Sequence, residues 1–304
     1  MANADTGLTR RDFICGASGV GLLYAGGAFG WLAPRGASGA EPGDSSRSRV
    51  VLIRDRDVLE GRTPNPERLA QMVDRGVAAL LGEPDPAAAW RRLLSPSDVL
   101  GIKSNAWRFL PTPPALEDVL RDRALTAGVA EENLAVDDRG VLRNPVFRRA
   151  TALINVRPLR THHWAGVGSC IKNYIMFSPD PPSWHDDSCA DLGGLWHLPA
   201  VHGKTRLNIL VLLTPLFHGK GPHNFQARYT WDYKGLLLGT DPVAVDATGV
   251  RILEAKRRQH FGEDLPFSVS PKHIRVAAKK HALGVADPAR IELVKLGWEE
   301  GVLI

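Results

Sequence analysis

Cysteine is scarce in this chain: Cys15, Cys170 and Cys189 are all there is among 304 positions. Cys15 falls in an N-terminal stretch expected to be removed, and the two that remain are too few for a four-cysteine iron–sulfur site. They can still pair. In an oxidising compartment a Cys170–Cys189 disulfide would pin the segment between them, at about 3 kcal/mol by chain entropy. Charge of one sign is not concentrated either. The 38 Lys and Arg residues are mixed with 33 Asp and Glu, as in RDRDVLEGR, and no basic stripe with interleaved aromatics occurs, so no nucleic-acid partner is expected. No internal repeat or low-complexity linker interrupts the chain. Past residue 40 no apolar run is long enough to cross a bilayer, so no membrane span is expected in the mature chain. No spacing matches HExxH, CxxC or another recognised metal motif.

What is present is a globular composition, 44% apolar and 23% charged, able to bury a core. The first forty residues stand apart. Arg10 and Arg11 precede a weakly apolar run from Phe13 to Trp31, and a small-residue site follows at Ser38-Gly39-Ala40. Six glycines between Gly16 and Gly30 make that run a poor membrane span. This is the pattern of a twin-arginine export signal. It predicts the twin-arginine translocase as a partner and the periplasm, or the outer face of the cytoplasmic membrane, as the destination. That route carries proteins already folded, often with a cofactor in place, so a cofactor is an expectation too.

Residues 41–304 read as one α/β domain with three layers, a mainly parallel sheet carrying helices on both faces. Strands are predicted over 49–55, 98–105, 133–139, 152–160, 207–217, 234–241 and 290–298, where short apolar runs end in turn residues. Helices are predicted over 64–82, 113–128, 241–262 and 270–284 from their apolar period and caps. Asp241 and Pro242 have the residue types of an N-cap and first helical position. Between these elements, residues 176–194 form a loop rich in Pro, Gly and Asp that is too long for a simple connection.

Seven of the ten histidines lie between His162 and His223, with Cys170, Cys189, Asp186, Asp187 and Asp191 among them. Such side chains bind transition metals, although histidines in loops also serve for hydrogen bonding alone. The stretch RTHHWAGVGSCIKN, residues 160–173, is the sharper signal. It follows a predicted parallel strand, at the edge where open α/β sheets bind ligands. Its glycines, Gly166 and Gly168, would let backbone approach a ligand, and a helix opening near Ser169 would offer its amides to an anion. The plainer alternative is a glycine turn with a solvated lysine. Asp246, one turn inside the helix after Asp241, either reaches the same site or faces solvent. His218 and His223 are second-rank candidates for that strand-end edge.

The segments LINVRPLRTHHWAGVGSCIKN, KTRLNILVLLTPLF and LLLGTDPVAVDATGVRILEAKR resemble the proteins grouped as domain of unknown function 362, over roughly residues 50–295. That resemblance implies a fold and supplies no reaction. The cysteine-rich ferredoxin-like module of many members is missing here. His162, Ala165-Gly166 and Lys172 are also similar, more distantly, to a segment of lactate racemase-like enzymes. In those enzymes the lysine bears a covalently attached nickel-pincer nucleotide and the histidine is a proton-transfer base. WRFLPTPPALEDVL would place Arg108 where their substrate-carboxylate arginine stands, and His185 is the nearest counterpart of a metal-ligating histidine. The run Gly168-Ser169-Cys170 departs from their Ser-Gly-Gly, and Asp137-Asp138-Arg139 occupies the region of their second catalytic histidine.

Together these readings predict an exported enzyme for a small anionic substrate of the hydroxy- or keto-acid type, dependent on a metal or metal-containing cofactor. His162 and Arg108 would be catalytic, Lys172, Gly166 and Gly168 would hold the cofactor, and His185, His163 and Cys189 would be metal ligands. The rival is a periplasmic protein that binds a ligand or metal without turning it over.

Overall fold

The computed structural model describes residues 47–304, so the expected export signal lies outside the described residues. The sheet is built from β1 (Ser48–Arg54), β2 (Leu100–Lys103), β3 (Leu134–Asp137), β4 (Ala152–His162), β5 (Gly166–Gly168), β6 (Thr205–Leu216), β7 (Gly235–Gly239) and β8 (Ile291–Gly297). Their order across the sheet is β8-β1-β7-β6-β4-β2-β3, and β5 folds back on β4. Four pairings are parallel, β1 with β8, β4 with β6, and β2 with both β4 and β3. β7 runs antiparallel to both of its neighbours. The sheet is therefore mixed and mostly parallel.

Strands buried on both faces read as continuous apolar runs rather than alternating ones, and β1, β4, β6 and β7 do so here. Val50, Leu52, Leu153, Leu210 and Leu237 point to one core, while Val51, Ile53, Ile154, Ile209 and Leu238 point to the other. The second core is closed by α1 (Pro66–Leu81) and α3 (Pro114–Thr126), with α2 (Pro86–Leu93) packed beside α1. The first is closed by α5 (Pro242–Phe261) and α6 (His273–Lys279), together with the short helical turn α4 (Cys170–Asn173). Helices on both faces of one sheet make the three-layer α/β fold.

Local signals explain the helix ends. Asn65 accepts from Arg68 N ahead of α1, and Gly82 closes that helix in the left-handed region at φ 68°. Asp241 accepts from both Val243 N and Ala244 N at the start of α5, with Pro242 next. Each such cap is worth about 1 kcal/mol. The same Asp241 carboxylate also takes the Ser48 hydroxyl and Val285 N, so one side chain joins β1, α5 and the segment before β8. The predicted helix over 270–284 is shorter than expected, and α2 was not foreseen.

Candidate functional site

The carboxyl ends of β2, β3 and β4 converge on one edge of the sheet, and the longest of them, β4, runs to His162 before turning back as β5. Its pairing with β6 is irregular around Pro158, as befits a proline, which cannot donate to a ladder. Arg160 pairs directly with Gly168 across β4 and β5, and the longer reach of Arg157 brings its guanidinium to the same glycine. A Cβ added there would lie 3.0 Å from Arg157 Nη2 and 3.5 Å from Arg160 Cγ.

Both arginines are buried, at 4% and 3% exposure, and Lys172 is buried with them at 3%. Among the described residues, none of the three forms an ion pair with a carboxylate, and the Nε atoms of both arginines have no partner. Burial pushes the Arg157 guanidinium down to about 10 and drives Arg160 well below its ordinary range, the charge of Arg157 adding to the effect. Arg160 donates to Asn105 Oδ1 at 3.1 Å and lies 4.4 Å over the Trp107 ring.

The carboxylates nearest this group are otherwise engaged. Asp138, at the end of β3, takes the ammonium of buried Lys103 and Ala106 N. Burial lowers Lys103 to about 8, against the raising effect of Asp138. Asp246 is fully buried and accepts from Ser169 Oγ, Cys170 N and Ile171 N at 2.6, 2.8 and 2.9 Å. The amides at the start of α4, expected to hold a bound anion, thus hold the chain's own carboxylate. Burial raises Asp246 to about 6, even though its three donors pull the other way.

Lys172 leaves α4 toward the long loop. Its Nζ lies 3.2 Å from His185 Nε2 and 3.7 Å from Cys189 Sγ. Burial is the main reason its ammonium falls to about 8; Cys189 opposes the fall and Arg157 adds to it. Asp187, Ser188 and Cys189 all have positive φ, at 47°, 59° and 61°. Three consecutive non-glycine residues in the left-handed region cost on the order of 1–2 kcal/mol each, and the strain delivers Cys189 to Lys172. A buried amide chain fixes the other side: Asn173 donates to Asn155 Oδ1, and Asn155 to both Asn208 Oδ1 and Cys170 O.

His162 is 8% exposed. Its Nδ1 accepts from Trp164 N and Ala165 N at 3.2 and 3.3 Å, so the neutral ring carries its proton on Nε2. Burial, reinforced by Lys172, Arg157 and Arg160, drives its pKa far below the ordinary histidine range. In this state the ring is a hydrogen-bond donor and a poor base. It lines a small cavity of about 70 Å³ with His163, Gly166 and Arg257.

The other expected residues distribute as follows. Gly166 sits at φ +73°, and a Cβ there would collide with the Val269 carbonyl. It therefore serves the close approach of the chain's own backbone, and Gly168 makes room for Arg157. Arg108 is exposed, with its guanidinium 4.5 Å over Phe109, and no hydrogen bond joins it to Lys172 or His162. Cys170 and Cys189 are both buried and both free, which corrects the disulfide alternative. Cys189 Sγ faces Lys172 instead. His223 stacks edge-on to His163 at 3.8 Å between centroids, while His218 is held by Arg257.

The three expected metal ligands are not gathered around one point. His185 and Cys189 meet at the Lys172 ammonium, His163 packs against His223 and Trp164, and among the described residues no three His, Cys, Asp or Glu side chains form a metal-sized cluster. The donor set does not fit a metal. Arg157, Arg160 and the Asp246 clamp escaped the sequence reading. The available signal was two arginines inside a strand expected to be buried on both faces.

No helix among the described residues is long and apolar enough to cross a membrane. No curated protein and no solved structure matches the chain. Residues 140–251, which carry Arg157, Arg160, His162, Lys172 and Asp246, match the model of the family described as domain of unknown function (DUF362), and this supports the resemblance over that segment.

Proposed function

We propose that this chain is an exported enzyme that takes a small anionic substrate at the strand-end edge, where Arg157 and Arg160 hold the anion and Lys172 moves a proton. The observation that carries the reading is the burial of three cations with no carboxylate partner of their own. Taking an ion out of water costs several kcal/mol unless a counter-charge offsets it, and an anionic ligand supplies that charge. The arginine forks suit a carboxylate. An amine lowered to about 8 is partly unprotonated near neutrality, as a general base needs, whereas His162 is held neutral as a donor. The distant lactate racemase-like resemblance suggests only the substrate class, a hydroxy or keto acid, because in those enzymes the histidine and not the lysine is the base. Export rests on the twin arginines, and Arg10→Lys with Arg11→Lys should retain the protein in the cytoplasm.

The test has two arms. Titration with lactate, pyruvate and phosphate should show binding that Arg157→Gln and Arg160→Gln abolish. NMR in D2O should then show deuterium entering C2 of lactate or the C3 methyl of pyruvate, and Lys172→Met should stop it. Binding without exchange in any member of the panel favours the second reading, a periplasmic binding protein, to which the tight backbone hold on His162 also points. No binding by any anion refutes both.

A further inference from the structure

We infer that the anion held by Arg160 belongs to a carboxylic acid with an aromatic or branched apolar body, and that this body occupies a separate apolar cavity beside the site. The inference rests on the anion reading above and adds the class of substrate.

The cavity measures about 390 Å³, within the range of small-ligand pockets. Its walls include Leu59, Pro64, Leu110 and Leu213, with Phe109 and Phe225 stacked at 5.1 Å between centroids. Arg62 and Thr214 are its only polar lining among the described residues, and Arg62 is already bonded to Thr230 Oγ1. Such a space offers nothing to a hydroxy acid of three carbons, yet it suits a ring or a branched chain.

What ties the cavity to the anion site is Trp107. One side of this indole carries the Arg160 guanidinium at 4.4 Å. Its ring also meets Phe109 and Phe225 edge-on, at 5.4 and 5.6 Å. A single indole therefore touches both a buried, partly unsatisfied guanidinium and two rings of the apolar wall. Asn105, which accepts from Arg160, starts the same loop, and Thr112 closes it by accepting from Asn105 N and donating its own N–H to Asn105 O. One short segment, residues 105–112, thus contributes to both the head site, through Asn105, and the body site, through Phe109 and Leu110. Phe109 is 42% exposed, an aromatic surface with room to cover a ligand.

NMR titration of the full chain with acetate and phenylacetate tests this. Phenylacetate should bind at least about tenfold more tightly, the return expected from burying part of a ring. Phe225→Ala should remove most of that advantage and leave acetate binding as it was. Arg160→Gln should abolish both. Equal affinities, or a Phe225→Ala variant that weakens the two ligands alike, would overturn the inference while the anion reading stands. If acetate, phenylacetate and inorganic phosphate all fail to bind, the anion reading falls and takes this inference with it.

Discussion

Replacing Lys172 by methionine should make the ligand-free protein more stable at neutral pH. The side chain is 97% removed from solvent, and its ammonium falls from 10.5 to about 8, chiefly through burial. That fall corresponds to about 3 kcal/mol against the charged form. Methionine has nearly the same length and no charge, so the variant should gain roughly 1–3 kcal/mol at pH 7, the lower figure allowing for lost contacts with His185 and Cys189. The pH dependence gives the reasoning a second, sharper signature. Because the folded pKa lies below the unfolded one, the unfolded chain binds more protons between about pH 8 and 10.5. Wild-type stability should therefore gain from this group as pH rises through that window, and the advantage of the variant should shrink to nothing above it. Urea unfolding of both proteins at intervals from pH 6 to 10 measures this. A Lys172→Met protein less stable than wild type by more than about 1 kcal/mol at every pH would refute the argument, since it would mean the ammonium is paired in the folded state. The alanine variant is a poorer probe, because at a site this buried it leaves a cavity whose cost masks the charge effect.

Asp246→Ala strips the acceptor from one hydroxyl and two amides at a fully buried point, at about 1–3 kcal/mol for each unsatisfied donor. Chemical denaturation should show a loss of about 3–5 kcal/mol, and a loss under 1 kcal/mol would mean that water takes over the clamp. Gly166→Ala combines a left-handed backbone with a collision against the Val269 carbonyl and should cost more than about 1 kcal/mol; a neutral outcome would show that the segment at 269–271 is free to move. The His162 imidazole should give no titration in histidine NMR spectra between pH 5 and 8, because burial and three nearby cations hold it neutral. A midpoint inside that range would return it to the role of proton-transfer base.

The α/β class, the strand-end position of residues 160–173 and the Asp241 cap were legible in the sequence, because each rests on interactions within a few residues. Apolar runs such as LNILVLLTPLF declare burial on both faces, and Asp followed by Pro before an apolar period declares a helix start. Lys172 was legible as a candidate and its surroundings were not. The amides of α4 are taken by Asp246, 76 residues further on from Cys170, and no local pattern could say that this carboxylate fills the place reserved for a ligand. Arg108 is a candidate only through the distant lactate racemase-like resemblance, and nothing local marks Arg157 and Arg160, since an arginine in an apolar strand looks like a strand residue until the sheet buries it.

By itself the sequence determined most of the strands, the capped starts of α1 and α5, and which chain segment follows the end of β4, since caps and hydrophobic period act over one or two turns. Only the tertiary structure decided which charges go unpaired. Whether a buried cation has a partner depends on carboxylates brought near by the packing of β3 and α5, and on what those carboxylates already hold. Asp138 is spent on Lys103 and Asp246 on the start of α4, and this leaves Arg157, Arg160 and Lys172 with no carboxylate at ion-pair distance among the described residues.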